Sequence, residues 1–260
     1  MNFQNPGTLV QSPYLVAYLD FLGANDKMLS PEQSLDLLQK INLIYRTTLA
    51  QLDIAKKIWR PDLETRIFSD NILIACKIRN VENPISEFGD IQAFCRLFQV
   101  YAFSQGELVR GAITKGNFFI NETFVYGEAL CKAYYMESQI AKFSRVMIDP
   151  AIFSQGNISA VFFNPEQSKE SVVKRDLAGT YFLNIFDFMV KHFSADEFNS
   201  LIKVVKEIIV KGYSDSLGSD IKKLEKYTWL ATEFNSFCDE NNMKEQKVLT
   251  PEFWDEVKHE

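Results

Sequence analysis

The stretch RIFSDNILIA, Arg66 to Ala75, constrains the fold more than any other part of the chain. Arg66, Ile67 and Phe68 lead in as one apolar segment, Ile72 to Ile78 lead out as another, and only Ser69-Asp70-Asn71 lies between them. Two strand-like runs joined by so short a polar break form an antiparallel hairpin. The hairpin is apolar enough to belong in the middle of a sheet, yet its tip carries a carboxylate.

The flanking segments supply the rest of that sheet. YLVAYL, Tyr14 to Leu19, is a compact apolar run ending in Asp20-Phe21-Leu22-Gly23, as expected for a buried strand followed by a glycine-containing turn. Ser30-Pro31-Glu32-Gln33 then gives a helix cap, a proline at the first helical position and a glutamine two residues on. Apolar residues recur through Leu35, Leu37, Leu38, Ile41 and Ile44, predicting a helix to about Leu52. Beyond the hairpin, Ile91 to Ser104 has helical spacing and LVRGAITKG, Leu108 to Gly116, returns as a strand. The order βαββαβ is the split βαβ arrangement: an α+β, ferredoxin-like core with an antiparallel sheet and both helices on one face. A helix over Ala129 to Lys142, a strand over Arg145 to Ile148, and edge strands over Ala160 to Phe163 and Thr180 to Leu183 extend it. Asp196 to about Asn242 reads as mostly helical. The β-type runs stop near residue 185, so a core over 1–185 and a helical C-terminal appendage over 186–260 are expected.

Composition narrows the chemistry. A net charge of −6 and a pI near 5.2 argue against a broad basic face for nucleic acid. Cys76, Cys95, Cys131 and Cys238 have no CxxC spacing and no neighbouring histidine, which suggests neither a zinc site nor a disulfide framework. With His192 and His259 as the only histidines, catalysis through a histidine dyad or triad is disfavoured, leaving carboxylates, metal and Lys or Arg. The N-terminus has no signal-peptide pattern and no window approaches a membrane span, so a soluble, cytoplasmic protein is expected.

In a βαββαβ sheet the first strand lies beside the hairpin, so its end and the hairpin tip can meet, bringing Asp20 next to Asp70. Two carboxylates about 4 Å apart repel by about 4 kcal/mol at an effective dielectric of about 20. A proton or a cation between them removes the conflict, and Mg²⁺ or Mn²⁺ suits hard oxygen ligands completed by substrate phosphates. Both aspartates are equally ordinary turn formers, so spacing alone leaves the two readings open.

The ordered set of segments YLDFLG, IFSDNILIA, LVRGAITKG and VYGEALCKAYYMES resembles the class III nucleotidyl cyclases over about residues 13–150. That family carries Asp-Ile-x-Gly after its first strand, Gly-Asp at a hairpin tip, an Arg- and Gly-rich strand, and a GxxxNxxxR helix start. The chain departs from it at four positions. The family's transition-state Asn and Arg fall at Cys131 and Tyr135, and its purine-selecting Lys and Asp fall at Arg66 and Phe124. These departures resemble the bacterial antiphage branch, the Pycsar cyclases that make cyclic CMP or cyclic UMP. That branch's GxALxxAYxxE pattern with a following Arg is matched by Gly127, Ala129, Leu130, Ala133, Tyr134, Glu137 and Arg145, and KYTWLATEFN, Lys226 to Asn235, looks like its C-terminal helix.

The resemblance implies a pyrimidine nucleotide cyclase, UTP favoured over CTP, that releases pyrophosphate as it closes the 3′,5′-cyclic product. Asp20 and Asp70 would hold two ions, Mg²⁺ or Mn²⁺, with the carbonyl of Phe21, while the amides of Phe21, Leu22 and Gly23 face the triphosphate. Arg66 would read the base or the phosphates, Phe124 would stand at the base-selecting position, and Tyr135 and Cys131 would take the places of the missing Arg and Asn. Arg66 is also readable as a solvated strand-start residue and Tyr135 as core. Lys115, Lys142 and Arg145 are further candidate phosphate contacts, and Arg110 reads as structural. The family's homodimers place two sites at the interface, so Cys131 and Tyr135 would serve the partner, and a separate effector would read the product. Two rivals remain: a non-catalytic cyclase-like nucleotide-sensing module, and a palm-type dinucleotide synthase, against which the hairpin tip lacks a second acid.

Overall fold

Strand β1 (Ser12–Phe21) runs through the middle of the sheet, antiparallel to β3 (Asn71–Lys77) on one side and to β4 (Val109–Ile120) on the other. Strand β2 (Leu63–Phe68) completes the hairpin with β3. The order β2-β3-β1-β4, with helices between β1 and β2 and between β3 and β4, is the expected βαββαβ core. The computed structural model describes residues 9–56, 63–154, 158, 162, 171–176 and 178–248.

The two-residue period of the strands divides the core into two layers. Leu15, Ala17 and Leu19 of β1, with Ile72, Ile74 and Cys76 of β3, face a cluster that also holds Leu37, Ile41 and Ile44 of α2 (Pro31–Lys56) and Phe88, Ile91, Phe94 and Phe98 of α3 (Ile85–Ser104). Tyr14, Val16 and Tyr18, with Leu73 and Ala75, face the opposite way and are covered by α4 (Glu128–Tyr135) through Ala129 and Ala133. A short helix, α1 (Ala24–Met28), follows β1; the reversal into it runs through Gly23 at φ +80°, a backbone that favours glycine.

Several boundaries differ from the sequence reading. β1 continues through Asp20 and Phe21 because both still pair with β4, so Asp20 belongs to the strand and not to the turn after it. β4 runs on to Ile120 because β5 (Val125–Gly127) folds back onto it. The helix predicted over Ala129 to Lys142 is α4 followed by a π-helical turn, Met136–Ile140. β6 (Val146–Ile148) joins β4 in parallel, so the full sheet is mixed, and β8 (Tyr181–Leu183) and β7 (Val173–Arg175) extend it antiparallel. The strand expected over Ala160 to Phe163 lies outside the described residues apart from Phe162, which is helical and buried.

Helices α5 (Ile185–His192), α6 (Ala195–Ser216) and α7 (Ile221–Glu240) follow β8 and share a second cluster with Val100 and Phe103 of α3. A capping box formed by Ser194 and Glu197 starts α6. Arg145 ties α7 to the sheet. Its guanidinium lies 5.4 Å from the centre of the Trp229 ring and 5.5 Å from those of Phe143 and Phe182, and its Nη1 donates to Asp176 Oδ2 at 2.6 Å.

Candidate active site

Strand register brings the acidic residues together. Asp20 is paired with Asn71 on β3 and with Arg110 on β4, so Arg110, Asp20 and Asn71 form one cross-strand row on the α4 side of the sheet. The next row runs Ala112, Tyr18, Leu73 and Arg66. Phe68 pairs with Asn71, which leaves Ser69 and Asp70 as a two-residue hairpin loop. Only the first of these has positive φ, +59° at Ser69, the pattern of a turn that normally asks for glycine there. Held by that turn, Asp70 is only 6% exposed at the edge of the row.

Within this row the carboxylates are close enough to bind one another. Asp20 lies close enough to Asp70 and to Glu137, which the π-helical turn after α4 buries, for the carboxyls to act on one another's protonation. Arg110 spans the pair: its Nε and Nη2 donate to Asp20 Oδ2 at 3.1 and 3.0 Å, while Nε lies 2.7 Å from Glu137 Oε1. Asn71 Nδ2 donates to Asp70 Oδ1 at 3.1 Å. Burial raises the Asp20 pKa above the usual carboxylate value; Arg110 opposes the shift and Asp70 adds to it. Burial likewise raises Glu137 to about 7, against Arg110 and with help from Asp20 and Asp70. Tyr18 is pushed to about 12 by burial and then by Glu137 and Asp20, and its ring meets Tyr134 edge-on at 5.8 Å.

This is a set of acids that holds more negative charge than one guanidinium neutralises. Among the described residues no group of three or more His, Cys, Asp or Glu side chains is arranged to hold a metal ion. Asp20 and Asp70 together fit a cation that takes one or two carboxylates and completes its shell elsewhere, as Mg²⁺ does. A backbone ligand is available. The Leu22 amide donates to Leu108 O at 2.8 Å, and in a planar trans peptide the Phe21 carbonyl must point the opposite way, toward the hairpin side and Asp70. The same bond occupies the Leu22 amide, which leaves Phe21 and Gly23 of the three amides expected to face phosphate.

The other candidates fall into separate places. Arg66 and Phe124 converge on Asn121: Arg66 Nη2 donates to Asn121 O at 2.7 Å, and the Phe124 amide donates to Asn121 Oδ1 at 2.9 Å. Cys131 and Tyr135 lie on the outward side of α4, exposed, whereas Ala129 and Ala133 face the sheet, so Tyr135 is not core. Lys115 pairs with Leu15 in the register that faces α2 and α3, opposite the acids, and its Nζ donates to Val81 O at 3.3 Å. Lys142 is exposed. Arg145 is enclosed by the aromatic rings and Asp176, and so is not placed to meet phosphate.

Sequence reasoning missed Arg110 and Glu137 as members of the site. Arg110 could have been found from antiparallel register, since it stands opposite Asp20 once β1 and β4 are paired. Glu137 was visible as a motif position, but only the π-helical turn gives its direction.

No protein-family model matches the sequence, and no curated protein matches it. Among solved structures, the adenylyl cyclase CyaB from P. aeruginosa is similar with a TM-score of 0.44 and 10% identity, over 68% of this chain and 96% of that one. The guanylyl cyclase Cya2 is similar with a TM-score of 0.39 and 9% identity, over 67% of this chain and 92% of that one. A likeness at this level assigns no residue and no activity to the chain.

Proposed function

We propose that the chain is a nucleotidyl cyclase that converts a pyrimidine nucleoside triphosphate, UTP in preference to CTP, into its 3′,5′-cyclic monophosphate and pyrophosphate. The observation that carries this reading is the meeting of Asp20 and Asp70 at one end of a βαββαβ sheet, where Asp20 stands across from Asn71, the residue after Asp70, and the two carboxyls interact. The order of the cyclase-like segments supports it. Pyrimidine preference rests on Arg66 and Phe124 standing where purine-selecting cyclases keep Lys and Asp.

In the reaction the ribose 3′-oxygen bonds to the α-phosphorus, the bond from that phosphorus to the bridging oxygen breaks, and pyrophosphate leaves with its electron pair. When bound, Mg²⁺ or Mn²⁺ supplies Lewis-acid polarisation and eases loss of the 3′-hydroxyl proton. The chain's own part is placement. Asp20 and the Phe21 carbonyl from the end of β1, and Asp70 from the adjoining hairpin loop, would present the oxygen ligands, and Arg110 fixes the Asp20 rotamer by two hydrogen bonds. The outward, exposed Cys131 and Tyr135 suit a homodimer in which they reach the partner's site, and exposed Phe124, Tyr126 and Tyr134 give that side of the chain an apolar surface. As an antiphage signalling enzyme it would act through a separate effector that reads the cyclic product. Among the described residues no helix is long and apolar enough to cross a membrane.

The test is incubation with each of the four nucleoside triphosphates and Mn²⁺, followed by chromatography and mass measurement. A cyclic pyrimidine mononucleotide is expected from the natural chain and none from Asp70→Asn, a loss of at least about 10³-fold. Absence of pyrophosphate from every nucleotide would favour the non-catalytic module, and a product of twice the mass the dinucleotide synthase.

A further inference from the structure

Helix α7 lies against the loop that follows β1. Lys223 Nζ approaches Asp26 Oδ2 of α1 at 3.5 Å, and Tyr227 lines a cleft of about 300 Å³ together with Leu22 and Gly23. Further along, Trp229 stacks on Phe143 with ring centres 5.4 Å apart. Lys226 lies one helical turn after Lys223 and directly before Tyr227, on the part of α7 that packs on this loop, and its ammonium is within electrostatic reach of Arg110, Asp220, Lys223 and Asp20.

Lys226 is in an unusual position for a lysine. It is half-buried, it has two further cations, Arg110 and Lys223, for neighbours, and among the described residues it makes neither an ion pair nor a hydrogen bond. Burial and then Arg110 push its pKa below the ordinary lysine value. Neither nearby carboxylate pairs with it directly: Asp220 accepts from the Lys223 amide at 3.0 Å and lies 4.0 Å from the Lys223 ammonium, and Asp20 Oδ2 is taken by the two Arg110 donors. A partly desolvated ammonium without a partner is unfavourable unless an anion completes it. Its neighbours on the helix, Lys223 and Tyr227, line the cleft that also holds Leu22 and Gly23 of the turn after β1, where the remaining backbone amides are.

We infer that Lys226 is a phosphate-binding residue of the Asp20–Asp70 site, delivered by the C-terminal helices to the polyphosphate end of a bound nucleotide. The inference rests on the nucleotide reading of that site. It assigns α7 a direct part in substrate binding beyond its role in packing, and it makes the site depend on two parts of the chain more than 200 residues apart in sequence, Asp20 and Lys226.

Inorganic tripolyphosphate, titrated calorimetrically into the full chain with Mn²⁺, tests this without requiring turnover. The natural chain should bind it, Lys226→Met should weaken binding by about tenfold, the size of one charge-assisted contact, and Lys226→Arg should recover most of the loss. Lys222→Met, on the exposed side of the same helix, should bind like the natural chain. Should Lys226→Met fail to fold, Lys226→Gln carries the same test with a polar end. In turnover the Lys226 variants should raise KM for the nucleotide more than they lower kcat. Unchanged tripolyphosphate affinity in a folded Lys226 variant, or no binding by the natural chain, overturns the inference even if nucleotides are cyclised. Lys226-dependent binding by a protein that cyclises nothing leaves it standing and removes the cyclase reading.

Discussion

Glu137 holds its proton to about 7 because it is buried beside Asp20 and Asp70, and the single guanidinium of Arg110 does not offset that environment. Its folded-state pKa lies above the ordinary 4.5, so between pH 4.5 and about 7 the folded chain binds more protons than the unfolded one. Stability of the metal-free chain should therefore fall as pH rises through that window, by up to about 3 kcal/mol at about 1.36 kcal/mol per pH unit. Asp20 acts in the same direction. Urea denaturation in the presence of a chelator should show a lower midpoint at pH 7.5 than at pH 5, and Glu137→Gln should remove most of the difference. A flat profile in the natural chain would mean that the acids are solvated and not crowded. At this scale the sequence made Asp20 and Asp70 conspicuous, because acids beside apolar runs stand out. It left Arg110 looking structural, because an arginine in a strand has no visible partner until register is known.

The elements that aim these residues depend on a close approach at Gly127. Its φ is +147°, and a β-carbon there would lie 2.4 Å from Asn117 O and 2.7 Å from the Phe118 Cα. Gly127→Ala should cost about 3 kcal/mol or more, through steric overlap and a backbone that L side chains rarely adopt. A large drop in the urea midpoint, with loss of nucleotide binding as α4 shifts, is the expected outcome; near-native stability would show that the β4–β5 corner relaxes easily. The helix that begins there was legible as an apolar pattern over Ala129 to Lys142. Its π-helical second part was not, because one extra residue per turn is decided by where Glu137 and Met136 must pack and leaves no composition signal.

Across the whole molecule, Trp229 joins the C-terminal helices to the sheet. It stacks on Phe143, meets Phe182 edge-on at 5.8 Å, and forms one wall around Arg145. Trp229→Ala should destabilise the chain by about 3 kcal/mol and, by loosening α7, weaken tripolyphosphate binding in parallel with the Lys226 variants. Denaturation and the same calorimetric titration check both effects. Loss of stability without loss of binding would separate the packing role of α7 from its placement of Lys226.

The sequence by itself determined the βαββαβ order, the hairpin with Asp70 at its tip and the helical character of the C-terminal region. These follow from local periodicity and short connections, which act over a few residues. Tertiary structure decided which side chains share a site: Arg110 against Asp20 through β1–β4 register, Glu137 through a π-helical turn, Arg66 turned to Asn121, Arg145 enclosed by aromatic rings, and Lys226 brought in by α7. Each of these depends on contacts between residues far apart in the chain. Register and helix rotation are fixed by the packing of whole elements, so no single segment carries their signal.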